Sequence, residues 1–192
     1  MAIEFELKFR ATKKQLTAIA EAFAGQGTSI AMETTYYDTP DGAFSQRFYT
    51  LRRRLENGKS VCTLKMPAKG GREECELFCN DVSAALEQIS ALYQKPELLA
   101  LAQPELIPVC GAKFHRIAIP VSLPECTVEL ALDEGILFGG GRELPLCEVE
   151  VELKEGAPDA ARGYAAILKT TYDLTPEKTS KFRRALNLSR GE

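Results

Sequence analysis

Tryptophan is absent from this 192-residue chain, and histidine occurs once, at position 115. A single histidine excludes a metal centre built from several imidazoles. No apolar run approaches the ~20 residues that cross a bilayer. The opening Met1-Ala2-Ile3-Glu4-Phe5-Glu6 also sets acids where a signal peptide carries bases. The chain is therefore expected to be cytoplasmic, with no membrane partner. Excess charge of one sign is lacking too: 24 Lys and Arg face 27 Asp and Glu, a net of −3. The broad basic field of a nucleic-acid binder is missing. Six cysteines stand singly at 62, 75, 79, 110, 126 and 147, without the spacing or histidines of a zinc site. They read as small buried hydrophobes with free thiols. Repeats, low-complexity tracts and long linkers are missing as well, which leaves one globular domain over 1–192.

What is present is alternation. Apolar and polar residues change places with period two through 2–10, 29–38, 48–56, 60–67, 72–79, 107–122, 125–134 and 145–154. Asn57-Gly58 joins two such runs and predicts a tight hairpin, because both residues tolerate positive φ. Helical spacing covers 13–24 behind the cap candidate Thr12, with Leu16, Ile19, Ala20 and Phe23 on one face. It returns at 81–102, broken at Lys95-Pro96, then from Pro158 to Thr171 and from Pro176 to about Leu188. Strands that mostly follow one another predict an α+β protein with an antiparallel sheet or barrel, and disfavour a doubly wound parallel sheet.

The polar faces carry a pattern of their own. On 2–10, Glu4, Glu6, Lys8 and Arg10 oppose Ile3, Phe5, Leu7 and Phe9. The same split sets Arg52, Arg54 and Glu56 on one face, and likewise Thr63 with Lys65, Glu74 with Glu76, Glu129 with Asp133, and Glu148, Glu150 and Glu152 with Lys154. A polar face on one strand is ordinarily the wet side of a sheet. Carboxylates two residues apart, however, stand about 6.5–7 Å from each other on one face and repel. A divalent cation turns that repulsion into coordination, since hard cations prefer carboxylate oxygens. Bases on the matching faces of other strands suit phosphate oxygens. A sheet closed around these faces would hold a metal-bound polyanion.

Glu4-Phe5-Glu6-Leu7-Lys8 resembles the ExExK signature that opens the CYTH domain, the triphosphate tunnel metalloenzyme superfamily. The resemblance continues through Tyr36-Tyr37-Asp38-Thr39-Pro40, Leu51-Arg52-Arg53-Arg54, Thr63-Leu64-Lys65, Arg72-Glu73-Glu74-Cys75-Glu76 and the stretch leading to Arg116. It then takes in Val128 to Gly135, Cys147 to Lys154 and Ser180-Lys181, so it spans essentially the whole chain. The pattern is most similar to the bacterial inorganic triphosphatases. That resemblance implies an eight-stranded antiparallel β-barrel, the triphosphate tunnel fold, with helices packed outside. It implies Mg²⁺ or Mn²⁺ held by Glu4, Glu6, Glu148 and Glu150. Lys8, Arg52, Arg54, Lys65, Arg116 and Lys181 would grip phosphate oxygens, with Glu4, Glu6, Lys8, Arg52, Arg54 and Lys65 carrying the hydrolysis. Glu74, Glu76, Glu129, Asp133 and Glu152 would complete an acidic lining. The implied partner is a small molecule bearing a triphosphate, and a homodimer is compatible with the chain.

Other features read more plainly. Gly139-Gly140-Gly141 lacks the Lys-Ser/Thr of a phosphate loop and reads as a connection between strands. His115 reads as a partly exposed strand residue, Arg53 as pointing away from Arg52 and Arg54, and Arg183-Arg184 as a solvated helix face with only Lys181 turned inward. Hydrolysis of inorganic tripolyphosphate is the leading expectation. A class IV type adenylyl cyclase or a thiamine triphosphatase on the same scaffold is the alternative, and a non-catalytic polyphosphate- or nucleotide-binding module is the alternative of another class.

Overall fold

In a computed structural model, which describes residues 2–69, 71–103 and 105–191, the alternating segments become strands β1 (Ala2–Glu4), β2 (Glu6–Arg10), β3 (Thr28–Asp38), β4 (Thr50–Glu56), β5 (Lys59–Ala68), β6 (Gly71–Phe78), β7 (Ile107–Ser122), β8 (Cys126–Gly139), β9 (Arg142–Gly156) and β10 (Thr175–Pro176). Helices α1 (Lys13–Ala22), α2 (Ala43–Gln46), α3 (Val82–Leu92), α4 (Glu97–Leu101), α5 (Pro158–Tyr172) and α6 (Lys181–Arg190) lie between and after them. Pairing is antiparallel throughout, in the order β1-β6-β5-β4-β3-β7-β8-β9-β2-β10.

The first and the ninth strand of that order, β1 and β2, are consecutive in the chain and separated only by Phe5. β1 pairs with β6 and β2 with β9, and the Phe5 carbonyl accepts a hydrogen bond from Leu153 N at 2.9 Å. Residues 2–10 therefore bridge both edges of the sheet as one kinked stave. With β1 and β2 counted together and the two-residue β10 set aside as a flank, the wall has the eight strands expected.

Local chemistry fixes the turns. Asn57 and Gly58 take φ of 48° and 83°, the paired left-handed conformation of a two-residue hairpin. Gly140 and Gly141, at 58° and 75°, make the same kind of turn between β8 and β9, so the glycine run is a hairpin and not a phosphate cradle. Thr12 caps α1 with a reciprocal box to Gln15, and Asp81 caps α3 by accepting from Ala84 N. The helical pattern at 81–102 is interrupted as expected, giving α3 and α4. The four-residue α2 has no counterpart in the sequence reading. α6 begins at Ser180-Lys181, not at Pro176, because Thr175 and Pro176 pair with Arg10 and Phe9 of β2 instead of entering the helix.

Three apolar clusters hold the helices. α1 and α5 cover the outer face of β2, β8 and β9 through Leu16, Ile19, Ala161, Ala165 and Leu168. α3 and α4 cover β4 to β6 through Leu86, Ile89 and Leu98 against Leu51, Leu64 and Cys75. The other helices pack outside as expected, while α6 lies across one end of the wall. It lies with Ala112, Leu137 and Leu146, which share the inward parity of Arg116, Asp133 and Glu148. The inner face turns from charged to apolar at that end, and Phe182 of α6 stacks on Tyr36 with ring centroids 5.0 Å apart. The helix seals one end of the bore.

Candidate active site

The cavity inside the sheet measures about 360 Å³, and most of its lining comes from the polar faces traced in the sequence. Of the fifteen residues singled out, Glu4, Glu6, Lys8, Arg52, Arg54, Lys65, Glu74, Glu76, Arg116, Glu129, Glu150, Glu152 and Lys181 line it. Asp133 and Glu148 do not: both are fully buried behind it, beneath α6.

Acids and bases interleave along the wall. Lys65 Nζ donates to both Glu4 oxygens at 2.6 and 2.7 Å and lies 3.4 Å from Glu74. Lys8 donates to Glu6 at 3.0 Å, Arg52 to Glu74 at 3.5 Å, and Arg54 pairs with Glu56. The guanidinium of Arg116 forks onto both Asp133 oxygens, 2.7 Å each, and reaches Glu150 at 2.6 Å. Lys181, at the first turn of α6, meets Asp133 at 2.8 Å, Glu150 at 2.6 Å and Glu148. Ser180 fixes that turn, its Oγ accepting from Arg183 N at 3.1 Å.

Titration follows from these contacts. Burial alone would lower the Lys181 ammonium, but Asp133, Glu150 and Glu148 outweigh it and hold its pKa above the ordinary lysine value. Burial pulls on Arg116 in the same way and is outweighed by Asp133 and Glu150. Glu148 is raised, mainly by burial, with Lys181 opposing and Glu150 adding. Glu150 is held well below the carboxylate range because Lys181 and Arg116 together outweigh its burial.

Two acidic groupings differ in what already neutralises them. Oxygens of Asp133, Glu148 and Glu150 lie within 4.8 Å of one another, but the Lys181 ammonium sits among them. Glu6, Glu152 and Glu129 stand side by side across β2, β9 and β8. Burial raises the Glu152 carboxyl, Lys154 opposes, and Glu4 and Glu129 add to the rise. These carboxylates face the cavity directly.

The sequence reading missed several residues. Arg184 is turned inward against Glu148 and lies 3.8 Å from Glu177, correcting its assignment to a solvated face. Its signal was the three-residue spacing from Lys181, which puts both on one helix face. Arg72, Glu56, Lys154, Thr34, Tyr36 and Thr50 also line the cavity. Buried Nε atoms of Arg52, Arg54, Arg72 and Arg184 have no acceptor. Arg53 points away as expected, donating to Asn80 O at 3.3 Å. His115 is exposed and shares a 2.6 Å hydrogen bond with Ser29 Oγ. All six cysteines are free. Among the described residues no helix is long and apolar enough to cross a membrane.

Known proteins share this architecture. A Hippeastrum protein described as an adenylyl cyclase with a dominant triphosphatase activity superposes with a TM-score of 0.66 at 20% identity, covering 100% of this chain and 97% of that one. A Pyrococcus horikoshii protein, PH1819, gives 0.64 at 22% identity over 96% of this chain and 98% of its own. In sequence, the chain is 27% identical over 162 residues to the inorganic triphosphatase of Haemophilus influenzae, covering 81% of this chain and 45% of that protein. The chain thus spans less than half the length of that relative. The CYTH domain family model matches residues 2–186. A match of that extent, on a ring of inward-facing acids and bases, means that the chain belongs to the CYTH domain family.

Proposed function

We propose that this chain hydrolyses a triphosphate, foremost inorganic tripolyphosphate, inside the bore, with Mg²⁺ or Mn²⁺ as cofactor. The carrying observation is that Arg52 and Arg54 line the cavity with buried Nε–H groups that no protein atom accepts. A buried donor without a partner costs free energy that a phosphate oxygen in the cavity recovers.

Arg52, Arg54, Lys65 and Lys8 grip non-bridging oxygens and offset the charge that builds on the leaving phosphate. Arg116 and Lys181 hold the sealed end, their positions set by Asp133 and Glu150. The nucleophile is water. The donor chemistry fits a hard divalent cation: Glu4, Glu6, Glu129 and Glu152 present carboxylates to the cavity from neighbouring strands. Each of the four opens onto the cavity, Glu129 with its nearest base as far as 4.0 Å away, whereas Glu148 is fully buried behind the lining under Lys181 and Arg184. When bound, the ion supplies Lewis-acid polarisation of phosphoryl oxygens and lowers the pKa of water. Glu150 stays a salt-bridge partner of Lys181 and Arg116, and Glu74 and Glu76 orient Arg52 and Arg54.

A second reading, an organic triphosphate such as ATP or thiamine triphosphate, is favoured by one feature. Ile30, Met32 and Phe114 form an apolar strip in a lining that is mostly charged. Phosphate release from tripolyphosphate, ATP and thiamine triphosphate, each with Mg²⁺ and Mn²⁺, separates the readings. Cyclic AMP formed from ATP would indicate a cyclase, and tight binding without release a non-catalytic module. Fastest turnover of tripolyphosphate is expected.

A further inference from the structure

Arg72, near the start of β6, has no role in the reading above. It stands opposite Glu4 in the β1–β6 ladder and lines the bore. Its Nη2 donates to Phe48 O at 2.8 Å, Lys65 O at 3.1 Å and Thr50 Oγ1 at 3.2 Å. All three acceptors are neutral, so they fix the guanidinium without cancelling its charge. Phe48 delivers its carbonyl from a left-handed backbone, φ 59°, which is uncommon for a residue with a Cβ. The local chain bears that strain where it orients Arg72.

The other bases lining the cavity, Lys8, Arg52, Arg54, Lys65, Arg116, Lys154 and Lys181, each have a carboxylate oxygen within 4.0 Å. Among the described bases of the lining, Arg72 alone has none, and its Nε is buried without an acceptor. Burial disfavours its charge, with Glu4 and Glu6 only partly offsetting this. An arginine does not give up its proton in a protein. A partly buried cation that faces a cavity without an ion-pair partner of its own favours a mobile anion.

We infer that Arg72 is a substrate-binding residue: its oriented guanidinium binds a phosphoryl oxygen of a condensed phosphate at the β1–β6 side of the bore. The inference rests on the triphosphate reading. The competing role is a purely structural tie between the segment at Phe48 and the β5–β6 hairpin.

Arg72→Gln removes the charge and keeps a donor for the same carbonyls. Calorimetric titration with tripolyphosphate in metal-free buffer reads binding apart from turnover, and KM with Mg²⁺ reads it during turnover. Both constants are expected to rise about 10–100-fold, the worth of a charge-assisted hydrogen bond. The ligand-free melting temperature should hold or rise, and Arg72→Lys should recover part of the affinity. Unchanged binding with a lowered melting temperature overturns the inference and makes Arg72 a tie. If the wild type binds tripolyphosphate but releases no phosphate, the hydrolase reading fails while the Arg72 comparison still decides. If the wild type does not bind tripolyphosphate, both fall.

Discussion

Lys181 holds three carboxylates at once, and Asp133 and Glu148 beneath it have no solvent exposure. Such a knot is stable only when every member is present, because removing one partner leaves a buried charge unpaired, at a cost of about 3–5 kcal/mol. Substitutions there report on folding as much as on chemistry. Arg52 is the cleaner probe, with a single carboxylate neighbour at 3.5 Å. Arg52→Gln is expected to lower kcat/KM for tripolyphosphate by about 10²–10³, the cost of one transition-state donor, while thermal melting barely moves. Equal losses in rate and stability would assign Arg52 to the scaffold. Tyr164 offers a test of pH dependence. Its hydroxyl is buried without a partner, and burial, helped by Tyr172, pushes the phenol up to about 12. An unfolded tyrosine ionises near pH 10. Between those values the unfolded chain sheds a proton that the folded chain keeps. The stability present below pH ~10 is thus lost as pH rises toward 12. Tyr164→Phe should flatten that alkaline fall in melting temperature and add about 1 kcal/mol at neutral pH by removing an unsatisfied hydroxyl.

Helix α6 reaches its place through two glycines. A Cβ on Gly139 would lie 2.5 Å from Ala185 O, and one on Gly140 2.8 Å from Ser189 O, so only bare backbone lets the helix approach the β8–β9 hairpin. Gly139→Ala should push α6 outward and draw Lys181 from its carboxylates. Activity is expected to fall although no cavity residue has changed. Full turnover in this variant would show that the seal is dispensable. The strands were legible because a buried face beside a polar one imposes period two, and residues 2–10, 107–122 and the Asn57-Gly58 turn sit where the alternation put them. The seating of α6 was not legible. Pro176 looks like a helix start, yet it pairs with Phe9, and the chain turns helical only once Ser180 supplies a cap. Arg184 escaped because adjacent arginines suggest a wet surface, and only its three-residue step from Lys181 argued otherwise. Arg72 escaped for a different reason: its significance lies in what is missing around it, and sequence spacing does not show a missing partner.

For the molecule as a whole, a net charge of −3 conceals a bore crowded with both signs. Tripolyphosphate with Mg²⁺ should therefore stabilise the native state by mass action, about 2.7 kcal/mol at a hundredfold excess over Kd. Melting curves with ligand, with ligand plus EDTA and with ligand in high salt would measure this. The gain is expected to shrink in the second case and to survive salt in good part, and a shift indifferent to EDTA but abolished by salt would place the anion on the outer surface, where screening is strongest. The ring also has a history in time. Residues 2–10 leave the ribosome long before their β9 partners, Glu148 to Glu152. Until then the nascent sheet keeps two unpaired margins and a stave waiting for its neighbour, which makes closure a late, long-range event and the unfinished wall a template for wrong pairing.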